Sequence, residues 1–256
     1  MPSPEVDGPA PGTPQWWAAR QDRAAPPPRR GRPARSPEPI VDAAVLLVDE
    51  VGADAFGMRL LAERLGTGTA TLYRHFTGKE EIAVLVVDRL FAAVAAIDAT
   101  GATGVESGDA RRPETWQDAA REICGRFLRT LADHPNVLPL LVSQVPVGPN
   151  ALLVRERAVA TLVGFGFPPR LAARAYTTLA HYVIGFAVQQ YAPGSPGPAE
   201  SAALGDYFRA LDPEVYPCTV AAADALTSVS VEDEFMEGLR FVLAGIEGAR
   251  TWAANT

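Results

Sequence analysis

Between residues 36 and 98 apolar positions recur at three- and four-residue intervals, and glycines interrupt them. Ile40, Ala43, Ala44, Leu47, Val48 and Val51 form one helical stripe. Ser36 is placed to cap it, Pro37 suits its first position, and Gly52 stops it. A shorter stripe, Met58, Leu61, Ala62 and Leu65, ends at Gly66, a residue suited to the left-handed position after a helix. A third segment runs from Thr69 to about Phe76. Thr77 and Glu80 then have the spacing of a capping box and open a long helix to about Asp98.

The Gly-, Thr-, Asp- and Ser-rich stretch Ala99 to Pro113 reads as a loop. Further helices are expected near Thr115–Asp133, Pro135–Ser143, Asn150–Gly164, Pro169–Tyr191, Ser201–Leu211 and Val231–Glu247. Ala192 to Pro198 is a Pro/Gly break, and Asp212 to Ala223 is undetermined. No useful length alternates with the two-residue period of a strand, so the predicted fold class is all-α. Residues 1–35 hold nine of the chain's 23 prolines and no apolar period. They are expected to be a disordered tail. The predicted division is a tail at 1–35, a head at 36–82 and a helical body at 83–256.

Composition adds limits. The 256 residues, 48% hydrophobic, suffice for a sizeable core. No run reaches the roughly 18 apolar residues of a membrane helix, and no secretory leader is apparent. Cys124 and Cys218 lie far apart in helix-like segments and are expected to be buried thiols in a reducing, cytoplasmic setting. The net charge of −7 is unevenly spread. Residues 1–79 carry 10 Lys+Arg against 9 Asp+Glu, and residues 80–256 carry 13 against 21. Only the N-terminal part would attract a polyanion.

The segment Gly66 to Glu81, GTGTATLYRHFTGKEE, holds Lys79, the chain's only lysine beside 22 arginines. Two short helices about Gly66-Thr67-Gly68 have the layout of a helix-turn-helix. A helix from Ala70 to Phe76 is too short to stand alone, so Leu72 and Phe76 must dock it. Thr69, Ala70, Thr71, Tyr73, Arg74 and His75 remain to be divided between packing and contact. Thr71 offers a hydroxyl and a methyl to a base edge. Tyr73, His75 and Lys79 are donors suited to phosphate oxygens. The same spacing also describes a plain helical corner with a half-buried Tyr73 and solvated charges.

Gly57-Met58-Arg59-Leu60-Leu61-Ala62-Glu63-Arg64-Leu65-Gly66, Thr71-Leu72-Tyr73-Arg74-His75-Phe76 and Gly78-Lys79-Glu80-Glu81 resemble the DNA-binding domain of the tetracycline-repressor (TetR) family. The resemblance implies a three-helix DNA-binding head and a larger helical domain for ligand binding and dimerisation. It implies Arg59, Thr69, Ala70 and Thr71 toward bases, and Tyr73, His75 and Lys79 toward the backbone. His134-Pro135 to Pro149-Asn150 and Ala175-Tyr176 to Gly185-Phe186 resemble the tetracycline-repressor branch more loosely. That implies a homodimer formed by Pro169–Tyr191 and Val231–Glu247, on a near-palindromic operator.

Phe91, Trp116, Phe127, Tyr176, Tyr182 and Phe186 are candidates to line a small-molecule cavity, with Gln144, Asn150 or His181 orienting the ligand. The alternative is ordinary core. A cavity between the helices near 79–98 and 169–191 is implied by the resemblance alone. Tetracycline-binding members coordinate a drug-bound magnesium through histidine, and the three histidines here give no metal constellation. No cofactor is expected. His134, before Pro135, is expected to cap the preceding helix, and Glu232-Asp233-Glu234 to cap a helix start. Arg30-Gly31-Arg32-Pro33 matches a motif that enters narrow AT-rich minor grooves. Arg29 to Arg35 are therefore expected to act as an N-terminal arm. A helical-bundle enzyme or metal-carboxylate protein is the other class considered. The chain has no Glu with His three residues later, no Gly-x-Ser-x-Gly and no phosphate-binding glycine loop.

Overall fold

The computed structural model describes residues 8–24, 37–101, 113–195, 197–227 and 230–254. Among these every regular element is helical, as expected. Arg30, Arg32 and the rest of Arg29 to Arg35 lie outside the described residues, as does Ser36.

The chain folds as two compact units: residues 1–112 with 129–160, and residues 113–128 with 161–256. In the first, α2 (Glu38–Ala55) packs on α3 (Met58–Arg64), on α5 (Lys79–Gly101) and on a 3-10 turn at Pro135–Val137. Gly52 does interrupt α2, at φ 82°, ψ 159°, a backbone that L side chains rarely adopt. The expected single helix at 135–143 is instead the 3-10 turn followed by α7 (Leu138–Val142). His134 takes a different role from the one expected. Its Nδ1 lies 2.8 Å from Asp49 Oδ2 on α2, and Asn136 Nδ2 donates to Asp49 O. The ring caps no preceding helix because Pro135 turns the chain toward α2.

The reading of 1–35 as a disordered tail fails for 14–24, where α1 (Pro14–Ala24) forms. Thr13 Oγ1 accepts the Trp16 N–H, and Pro14 occupies the first helical position. Trp16 and Trp17 are buried with Val84 of α5. Two adjacent tryptophans carry no helical period, so the pattern gave no sign of a buried helix there.

The second unit contains most of α6 (Trp116–Asp133), α9 (Pro169–Tyr191), α10 (Pro198–Arg209), α11 (Pro217–Ala221), α12 (Ala223–Thr227) and α13 (Val231–Ala254). The undetermined stretch 212–223 thus supplies α11 and the first residue of α12. α8 (Pro149–Gly164) runs through the boundary at 160. Phe235, Leu239, Leu243 and Ile246 give α13 one buried face. Ser230 caps this helix, its Oγ accepting the Asp233 N–H and donating to Asp233 Oδ2, so the acidic run does sit at a helix start. Cys124 is buried, and burial pushes its thiol up to about 12. Cys218 departs from expectation and is exposed, because α11 is a five-residue helix with no buried residue.

Candidate nucleic-acid interface

α3 ends in two bonds that define its exit. Thr67 N–H donates to Ala62 O at 2.9 Å and Gly66 N–H to Glu63 O at 3.0 Å, with Gly66 at φ 62°. This is a Schellman closure, and it needs a residue tolerant of positive φ. Chain direction is reset within three residues, and α4 (Thr69–Leu72) begins at once. α4 has only four residues, shorter than the expected Thr69 to Phe76. Beyond Leu72 the backbone tightens, Arg74 N–H bonding Thr71 O and His75 N–H bonding Leu72 O.

Leu72 and Phe76 are 0% and 2% exposed and fasten this segment to the head. Arg59, Thr69, Ala70, Tyr73, Arg74 and His75 are exposed, and Thr71 is half-buried. Arg74 Nη2 donates to Thr71 Oγ1 at 3.0 Å, so arginine and threonine form one polar group on this surface. Arg64 grips Glu50 through both carboxylate oxygens and ties α3 to α2. The bond from Arg64 holds the Glu50 carboxyl below its usual range.

Lys79 has a task that the sequence did not show. Its Nζ donates to Ala53 O at 3.1 Å and Asp54 O at 3.3 Å, and lies 5.9 Å from the Phe56 ring centroid. It thus closes the carbonyl end of α2, where a cation is favoured. The capping residue of α5 also differs. The helix starts at Lys79, so its third position is Glu81, not Glu80. The Glu81 carboxylate accepts both the Thr77 N–H and the Thr77 hydroxyl at 2.8 Å.

The nine candidate ligand residues divide between the units. Phe91, Gln144 and Asn150 belong to the first, and Trp116, Phe127, Tyr176, His181, Tyr182 and Phe186 to the second. Asn150 is already used: its N–H and Nδ2, with the Ala151 N–H, converge on Asp88 of α5. Burial pushes the Asp88 carboxyl up, and these donors oppose the shift. Gln144 Nε2 donates to Leu140 O. In the second unit, Tyr182 and Phe186 gather about Phe235, and the Tyr182 hydroxyl donates to Phe235 O at 2.7 Å. Gly238 permits this approach, since a Cβ there would lie 2.4 Å from the hydroxyl oxygen. Trp116 packs on Phe167 and donates to Glu247 Oε2. Phe235, Phe167 and Glu247 were missed, although the buried stripe of α13 was available to indicate Phe235. His181 is exposed, with no claim to a buried orienting role. Among the described residues no group of three His, Cys, Asp or Glu is placed to hold a metal ion.

Two family patterns match the chain. The one described as "Bacterial regulatory proteins, tetR family" covers residues 40–86, and "Tetracyclin repressor-like, C-terminal domain" covers 110–250. An HTH-type transcriptional regulator of Saccharopolyspora erythraea is 33% identical over 156 residues, which is 61% of each chain and less than two thirds of that relative. The HTH-type transcriptional repressor DrrR1 of Streptomyces coeruleorubidus is 26% identical over 84% of this chain and 81% of its own. The crystal structure of ActR from Streptomyces coelicolor in complex with actinorhodin superposes with a TM-score of 0.71 at 28% identity. That similarity covers 86% of this chain and 99% of ActR.

Proposed function

The chain belongs to the tetracycline-repressor (TetR) family, and from that premise we propose that it is a transcriptional repressor that binds operator DNA as a dimer and is released by a small organic molecule. The head is residues 36–82 and the ligand-binding and dimerisation region is 83–256. The carrying observation is the division within Gly66 to Glu81. Leu72 and Phe76 are buried, whereas Thr69, Ala70, Tyr73, Arg74 and His75 face outward beside exposed Arg59. A corner that merely joined helices would have no need of this polar, donor-rich face.

Arg59, Thr69, Ala70 and Thr71 read bases, and Tyr73, Arg74, His75 and Lys79 hold the backbone. Arg30 and Arg32 extend this contact as an arm. The protein acts in the cytoplasm, where the operator lies, and regulates transcription without catalysis. No helix among the described residues is long and apolar enough to cross a membrane. The aromatic groups of the second unit, Trp116, Phe127, Tyr176, Tyr182 and Phe186, support uptake of a small organic effector. Such an effector releases DNA only by preferring the conformation that does not fit the operator, and operator DNA then weakens effector binding by the same factor.

Selection of bound fragments from random DNA tests this reading. The expected product is a two-fold element whose half-sites lie about 34–36 Å apart. Failure to enrich any symmetric element would defeat it. Two substitutions separate the roles. Thr71→Ala should change preference at one base pair by roughly 1–3 kcal/mol, and equal losses on operator and random DNA would remove Thr71 from the readers. Lys79→Met should lower affinity for both DNAs alike and reduce the salt slope by about one. An unchanged slope would leave Lys79 with the α2 closure alone.

A further inference from the structure

Residues 8–24 make contacts that neither the reading face nor its immediate docking uses. On α5, Glu81, Val84, Leu85 and Asp88 form one stripe at helical spacing, and α1 lies along it. Trp16 and Trp17 pack on Val84, with Leu85 and Val147 beside them. Arg20 Nη1 meets Glu81 Oε1 at 2.5 Å, and its guanidinium lies 5.3 Å from the centre of the Trp16 ring. The same segment touches the turn before α8. A Cβ at Gly148 would sit 2.8 Å from the Trp17 ring and 2.2 Å from Asp88 Oδ1, so backbone, indole and carboxylate meet there without spare room. A Cβ at Gly12 would be 3.0 Å from Val84 and 3.4 Å from Gln144.

This bridge has two polar ends. At one, Glu81 accepts from Arg20 and also from Thr77, the residue that follows the docked Phe76. At the other, Asp88 accepts the first N–H groups of α8 from Asn150 and Ala151. Moving the 144–148 turn along α5 must therefore carry α1 with it or open the tryptophan seal. Either event reaches the corner between α4 and α5 through Arg20 and Glu81.

We propose that residues 8–24 are a clasp joining α5 to the 144–148 turn, and that Arg20 is a positioning residue that fixes the pitch of the reading head. The proposal rests on the DNA-binding reading above. Its signature is spacing discrimination. A clasp that only stabilised the fold would alter affinity for every operator alike, whereas one that fixes head pitch confines the dimer to one half-site separation.

The test uses the full-length chain, the operator obtained by selection, and versions with one base pair added or removed between half-sites. The intact protein should prefer the native spacing at least tenfold. Arg20→Ala and Trp17→Ala should each cut that ratio at least threefold, while circular dichroism shows the helix content retained. An unchanged ratio in Arg20→Ala overturns the clasp, even where absolute affinity falls. Arg20 is part-exposed, so this variant decides the matter if Trp17→Ala does not fold. Failure of the intact protein to select any two-fold element would instead sink the parent reading, and the clasp with it.

Discussion

Replacing Phe241 with glutamate is expected to convert the dimer to monomers and lower operator affinity at least about 100-fold, the factor lost when two linked binding events become separate. α13 turns Phe235, Leu239, Leu243 and Ile246 inward. Phe241, Gly245, Gly248 and Trp252 follow at i, i+4, i+7 and i+11 on a different face. All four are exposed, Phe241 by 59% and Trp252 by 73%. On α9, exposed Thr178, His181, Gly185 and Gln189 repeat a similar spacing. Glycines between large aromatics let two helices approach closely while the rings bury against a partner, and aromatics are enriched in such interfaces. Desolvating a carboxylate in an apolar contact is unfavourable. His181 is one of the exposed residues of this α9 face. Sedimentation at fixed protomer concentration, with operator titration, checks the result. A dimeric Phe241→Glu protein with unchanged affinity would place the dimer elsewhere.

Leu72→Ala should be the most damaging change within the head. Leu72 is 0% exposed in a helix of four residues that has no stability of its own. Truncating a buried leucine costs about 2–5 kcal/mol. The loss falls on the docking of the reading segment, so operator and random DNA should both bind more than tenfold more weakly. Hydrogen exchange is the discriminating measurement. Amides of 69–76 should exchange much faster, while those of α9 and α13 keep their protection. Retained protection at 69–76 with lost DNA binding would mean that Leu72 itself touches DNA, contrary to its burial. The contrast with Thr71→Ala is one of mechanism: one substitution loosens the reading surface and the other alters a single contact on it.

Much of the head was legible in the chain because its signals are local. Gly66 had to follow α3, since only a residue tolerant of positive φ closes that helix and redirects the chain within three residues. Gly52 broke α2 for the same reason, at φ 82°. Leu72 and Phe76 had to be buried because an amphipathic segment this short persists only when docked. The aromatic residues of α6 and α9 were recognisable as a class. Which of them meet, and around which residue, was not, because Phe235 lies 53 residues beyond Tyr182 on another helix.

The sequence by itself determined the all-α class, the order of helices and glycine turns in the head, and the family to which the chain belongs. Those depend on short-range capping, glycine conformations and helical periodicity. Only the tertiary structure decided what the long polar side chains do. Lys79 finds carbonyls 26 and 25 residues away, Arg20 finds Glu81 at a separation of 61, and His134 finds Asp49 at 85. It also decided that two adjacent tryptophans in a proline-rich segment bury themselves on α5. A flexible charged side chain or an isolated aromatic pair carries no period along the chain. Its partner is selected by what folding brings within hydrogen-bond or van der Waals distance.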